Sequence, residues 1–142
     1  MFSESTKFLV VDDSTTVRRV ICKVLGELGF TNVIEVDDGK TAVPALQEAN
    51  AKGDPFGVII SDWNMPIMQG IDLLRYCKSE DRFKNTPFII LTAENEQKNI
   101  LGAVKAGVSD YVVKPFNSKI LNDKLKKVWE LHHGTKSTPR AA

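Results

Sequence analysis

Two apolar runs of strand length, Phe8-Leu9-Val10-Val11 and Val58-Ile59-Ile60-Ser61, end abruptly in acid, the first in Asp12-Asp13 and the second in Asp62. Strands favour Val, Ile and Phe, and a buried, unpaired carboxylate is costly. An acid placed where a buried strand breaks out of a sheet is therefore a candidate for chemistry. Three more runs follow the same plan. Asn32–Val36 is a short strand, Phe88–Leu91 ends in Thr92, and Asp110–Val113 ends in Lys114-Pro115.

Between these runs the apolar residues recur at helical spacing. Val17, Val20, Ile21, Val24, Leu25 and Leu28 form one stripe expected to be buried, with Ser14 or Thr15 as cap and Gly29 as stop. Arg18, Arg19 and Lys23 lie off that stripe and read as a solvated face. A second helix is expected over Gly39–Ala51, where Pro44 removes a backbone hydrogen bond and predicts a kink or a late start. Ile71, Leu73, Leu74 and Cys77 mark a third, and a fourth is expected near Glu96–Ala106, stopped by Gly107. The last, about Ser118–Leu131, is expected to bury Ile120, Leu121, Leu125, Val128 and Trp129, with His132-His133 as its frayed end.

Near-continuously apolar strands alternating with helices predict an α/β fold whose parallel five-stranded sheet is covered on both faces. The 142 residues suit one domain. A net charge of +1 argues against bulk nucleic-acid binding, and no run approaches the apolar length of a membrane span. Residues 1–6 lack a signal peptide's apolar region, so a cytoplasmic location is expected. Cys22 and Cys77 are not spaced as a metal or redox pair and read as reduced thiols.

In sheets of this kind ligands bind at the carboxyl ends of strands, where the strand order reverses. Every out-of-place polar residue sits at such an end: Asp12, Asp13, Asp62, Thr92 and Lys114. Three carboxylates in one pocket repel one another, by about 4 kcal/mol per pair at about 4 Å and an effective dielectric of about 20. Such a cluster holds a cation or raises a pKa, and with hard oxygen ligands alone that cation is Mg²⁺ rather than zinc. Metal, ammonium and hydroxyl together suit a phosphoryl group, and Asp62, on a central strand, is the best placed nucleophile for an acyl phosphate. No phosphate-binding glycine loop follows the first strand, so the donor is expected to be another protein or a small phosphodonor rather than a nucleotide.

Ser61-Asp62-Trp63-Asn64-Met65-Pro66, Thr92-Ala93-Glu94 and Tyr111-Val112-Val113-Lys114-Pro115-Phe116 resemble the receiver domains of two-component response regulators, in particular the single-domain receivers of chemotaxis. Phe8–Asp13 with Thr16 and Arg18-Arg19 extends the resemblance, which runs from Lys7 to Leu131. It implies a flavodoxin-like, doubly wound (βα)5 fold with strand order 2-1-3-4-5. Residues 1–6 would be a flexible lead, 7–132 the receiver domain and 133–142 a flexible tail. Asp62 would take a phosphoryl group from a histidine kinase. Mg²⁺ would be held by Asp13, Asp62 and the Asn64 backbone carbonyl, with Asp12 acting through water. Lys114 would pair with the phosphoryl oxygens across a cis bond to Pro115, and Thr92 would swing toward them. Tyr111, Ile100, Val113 and Lys124 would form the switch and output face, while Asn64 and Glu94 would tune the lifetime of the acyl phosphate. The implied partners of this monomer are a chemotaxis histidine kinase, the flagellar motor switch protein and a phosphatase.

Ser14, Gln97, Pro44, the Ala51–Pro55 loop and the length beyond Leu131 depart from that pattern, and none of them touches the phosphorylation chemistry. Two other functions use the same residues: a phosphate-sink or relay receiver with a non-flagellar target, and a phosphohydrolase working through an aspartyl-phosphate. A chain with no visible cap domain or substrate pocket argues against the hydrolase. The only catalysis expected is of the protein's own phosphorylation and dephosphorylation.

Overall fold

The structure, a computed structural model, describes residues 1–93 and 100–133. Five strands, β1 (Phe8–Val11), β2 (Val33–Val36), β3 (Val58–Asp62), β4 (Phe88–Ala93) and β5 (Asp110–Lys114), alternate with helices α1 (Thr15–Glu27), α2 (Gly39–Ala51), α3 (Gly70–Ser79), α4 (Ile100–Lys105) and α5 (Ser118–His133). All neighbouring strands are parallel and their order is β2-β1-β3-β4-β5, as the resemblance implied.

Because successive side chains of a strand point to opposite faces, each apolar run feeds two cores. Leu9, Val11, Ile59, Phe88 and Ile90 pack with Leu46 of α2 and Leu73, Leu74 and Cys77 of α3 on one face. Phe8, Val10, Val58, Ile60, Ile89 and Leu91 pack with Ile21 and Leu25 of α1 and Leu121, Leu125 and Val128 of α5 on the other. Each such side chain, fully buried, contributes about 1.5–3 kcal/mol. Both cysteines are free, Cys22 half-buried and Cys77 buried. The entries of α1 and α2 are fixed by side-chain caps. Ser14 Oγ accepts the Val17 N–H at 3.2 Å, and Asp38 Oδ1 accepts the Thr41 N–H at 2.7 Å.

Several expectations are corrected. α2 starts at Gly39 and runs through Pro44, so there is no late start; Pro44 is exposed and follows a first turn capped by Asp38. Val20 and Ile120, expected in the core, are 47% and 40% exposed. Both lie at a margin of their helix's apolar stripe and line surface grooves instead. Trp129 is only half-buried against the α1/α5 core. α5 continues to His133 rather than fraying: His132 Nε2 lies 2.8 Å from Ser109 Oγ, and the His133 ring stacks on Trp129. Within the six-residue lead, Phe2 is buried and meets the His133 ring edge-on. Glu94, Gln97 and the first part of the expected fourth helix lie outside the described residues.

Candidate functional site

Register builds the site. Val11 pairs with Ser61 and Asp62 with Leu91, so Asp12, Asp62 and Thr92 emerge side by side from the carboxyl ends of β1, β3 and β4. Carboxylate oxygens of Asp12, Asp13 and Asp62 all lie within 4.8 Å of one another. Asp12 is 1% exposed; its Oδ1 accepts the Ser14 N–H at 2.8 Å, while its Oδ2 is buried with no hydrogen-bond partner among the described residues. From the opposite side Lys114, at the end of β5, donates from Nζ to Asp62 Oδ1 at 2.9 Å. The Lys114–Pro115 bond is cis.

Electrostatics follow from this crowding. Burial raises the Asp12 carboxyl from 3.8 to about 6; the Ser14 N–H opposes the shift and the neighbouring Asp62 reinforces it. Burial also raises Asp62, against the pull of the Lys114 ammonium. A buried carboxylate oxygen with nothing to accept, beside two more acids, is costly unless a cation fills the pocket. The donor set is all oxygen, which suits Mg²⁺. The residues present therefore fit the implied ion, with Asp12, Asp13 and Asp62 as its carboxylates and the exposed Asn64 next to them.

The remaining predicted residues are spread around this centre. Thr92 is buried one position beyond the Asp62–Leu91 pair, its hydroxyl donating to the Ala93 carbonyl at 3.3 Å. Trp63 is half-buried beside the acids, its N–H bonded to the Leu91 carbonyl. Tyr111, Val113 and Lys124 line one groove with Lys114. Ile100 opens α4, half-buried.

Three residues that serve the site were not singled out for it from sequence. Arg18, read as a solvated side chain, donates from Nη1 to the Asp12 carbonyl at 2.5 Å, from Nε to Glu35 at 3.1 Å and from Nη2 to Thr15 at 3.2 Å. It ties the end of β1 to α1 and β2. No periodicity shows this, because an off-stripe arginine on a first turn looks solvated. Gly70 opens α3 so close to the site that a Cβ there would lie 2.2 Å from the Asp62 carbonyl oxygen. A glycine following Pro66 by a few residues reads only as a turn. Asp110, at the start of β5, receives Lys124 at 3.1 Å; an acid opening a strand was the available signal.

Comparison with known proteins agrees with this architecture. Residues 8–126 match the response regulator receiver domain family. The chemotaxis protein CheY of Pseudomonas aeruginosa is 46% identical over 128 residues, covering 90% of this chain and 99% of that protein. Among solved structures, the chemotaxis response regulator CheY4 of Vibrio cholerae superposes with a TM-score of 0.74 at 33% identity, over 87% of this chain and 98% of that one. The receiver domain of a sensor histidine kinase from Pseudomonas aeruginosa, which holds a magnesium ion in its active-site cleft, has a TM-score of 0.74 at 26% identity over 87% of this chain and 98% of that one. By that family match over most of its length and its identity to a chemotaxis CheY, the chain belongs to the response regulator receiver domain family and is a CheY-like member of it.

Proposed function

We propose that the chain accepts a phosphoryl group on Asp62 and passes the signal on by protein contact. The observation that carries this reading is the Asp62 carboxylate itself, held between the Lys114 ammonium at 2.9 Å and two further acids within 4.8 Å. An Asp62 oxygen attacks phosphorus, and the bond from phosphorus to the donor's imidazole nitrogen breaks. The nitrogen leaves with the electron pair, and an acyl phosphate remains. Asp13, Asp62, the Asn64 carbonyl and, through water, Asp12 would hold Mg²⁺, which when bound would supply positive charge to the phosphoryl oxygens. Lys114 offers its ammonium to the same oxygens from the other side, and Thr92 is placed to donate its hydroxyl. The protein turns over no external substrate.

The donor is a histidine kinase and the target the flagellar motor switch protein, reached through the face formed by α4, β5 and α5. The relatives named chemotaxis proteins support that choice of target. Treatment with acetyl phosphate and Mg²⁺ adds one phosphoryl mass to the wild type and none to Asp62→Asn; full labelling of the mutant would move the acceptor elsewhere. The target is tested by binding of the amino-terminal peptide of the motor switch protein, with and without beryllofluoride and Mg²⁺. Tighter binding in the activated state is expected. An activated chain that ignores the peptide would leave the phosphorylation reading standing and reject the motor.

A further inference from the structure

β5 opens with Asp110, an acid at the start of an edge strand, where strand propensity disfavours it. Its side chain is 11% exposed and three donors converge on it. Oδ1 accepts the Tyr111 N–H at 2.8 Å and Lys124 Nζ at 3.1 Å, while Lys127 Nζ lies 3.8 Å from Oδ2. Several lysine–acid pairs among the described residues differ in kind. Lys119–Asp123 and Lys52–Glu48, for instance, join two exposed side chains within one helix, where solvent leaves little net attraction. The Asp110–Lys124 pair joins α5 to β5 with Lys124 only 25% exposed.

The same Lys124 ammonium lies 4.7 Å from the centroid of the Tyr111 ring. A cation over an aromatic face is attracted to it, but a lysine on its long flexible stem is not fixed there by that attraction alone. Asp110 supplies the second anchor. Tyr111, Val113, Pro115, Ile120 and Lys124 line a groove of about 400 Å³ together with Lys114, whose ammonium is bound to Asp62. Both lysines that line the groove are thus held by carboxylates, Lys114 by Asp62 and Lys124 by Asp110.

We propose that Asp110 is a positioning residue for the output groove: by fixing the Lys124 ammonium over the Tyr111 ring, it holds Tyr111 in its half-buried orientation and so restrains partner binding until the acid cluster is modified. This rests on the reading of β5 and α5 as the output surface. Phosphorylation then works against a defined restraint, because a ligand or modification shifts an equilibrium only through contacts that differ between its states.

The test uses the full chain and Asp110→Asn, which keeps an oxygen for the Tyr111 N–H and removes the charge. A methylene beside an aromatic face shows upfield proton resonances, so the Lys124 ε-CH2 is expected upfield of the Lys127 ε-CH2 in the wild type. It should move to the Lys127 position in Asp110→Asn. Asp110→Glu should restore part of the upfield shift, and Tyr111→Leu should abolish it. An unchanged Lys124 resonance in Asp110→Asn would overturn the clamp. The second arm measures the motor switch peptide on unactivated protein, where Asp110→Asn is expected to bind about two- to fivefold tighter, the range of one released cation–aromatic contact. Equal affinity, with Lys124 released, would overturn the restraint on the groove. A peptide that binds neither protein in either state would reject the motor target, while the resonances still decide the clamp.

Discussion

Asp12 is the residue on which the chemistry of the pocket presses hardest. Its carboxyl sits at about 6 instead of 3.8 because it is buried among other acids with one oxygen unpartnered. Between those two values the native, metal-free chain holds a proton that the unfolded chain has already lost. Its stability therefore falls as pH rises through that window and is level above it. Metal binding has the opposite dependence, since the ion must displace that proton. Affinity for Mg²⁺ is expected to be constant above about pH 6 and to weaken below it, by up to about tenfold per unit. Titration of Mg²⁺ against Trp63 fluorescence at about pH 7 and about pH 5 measures it, and equal affinities would show that Asp12 is ionised throughout. The raised Asp62 steepens the same dependence through the same proton competition.

At the scale of elements, what the sequence made legible is what periodicity encodes. The five strands and the acids that end them were readable because Val, Ile and Phe runs have no other use for Asp12 or Asp62. Close backbone approach leaves no such trace. Gly70 carries the first turn of α3 against the Asp62 carbonyl, where a Cβ would sit at 2.2 Å, and backbone rather than a flexible side chain is what it would meet. Gly70→Ala is therefore expected to destabilise the fold by about 3 kcal/mol and to weaken metal binding together with it, because α3 must draw back from β3. Urea unfolding combined with the Trp63 titration separates this from an ordinary helix glycine, whose replacement by alanine stabilises. Pro44 is the reverse case, a visible breaker that does not end its helix. The Asp38 cap and the buried Ala42, Leu46 and Ala49 keep α2 continuous through it, so packing overrides local propensity. Pro44→Ala restores a backbone donor to an exposed position, offset by the greater freedom of the unfolded chain. A net gain of about 1–2 kcal/mol is expected, read as a higher urea midpoint at unchanged slope. The stripes misled only at their margins, at Val20 and Ile120, because a periodic pattern gives a face but not the width of what covers it. Arg18 was illegible as part of the site, and Asp110 showed only as an acid opening a strand, because their partners, the Asp12 carbonyl and Lys124, are brought to them by tertiary structure.

The whole molecule concentrates its electrostatic strain at one edge of an otherwise apolar sheet. Two cores of ordinary composition carry the fold, while three acids sit within 4.8 Å of one another at the ends of β1 and β3. Stability and function are therefore opposed in the metal-free chain, and a cation bound among the acids would reconcile them. Asp13 is the exposed member of the trio, so solvent screens its repulsion, and removing its charge is expected to stabilise the metal-free protein by no more than about 1 kcal/mol. With Mg²⁺ at about one hundred times its dissociation constant, the proposed site is expected to stabilise the wild type by about 2.7 kcal/mol, the linkage of an ion that binds only the folded chain. Asp13→Asn lacks one of the three carboxylates and should gain little at the same concentration. The expected signature is a crossing. In a chelator the mutant unfolds at an equal or higher urea concentration than the wild type, and in Mg²⁺ it unfolds at a lower one, by about 1–2 M. If instead the wild type were the more stable in both conditions, the acids would be a structural network, and the repulsion that makes them a metal site would be absent. A mutant that gained as much from Mg²⁺ as the wild type would place the ion away from Asp13, leaving Asp12 and Asp62 to hold it alone.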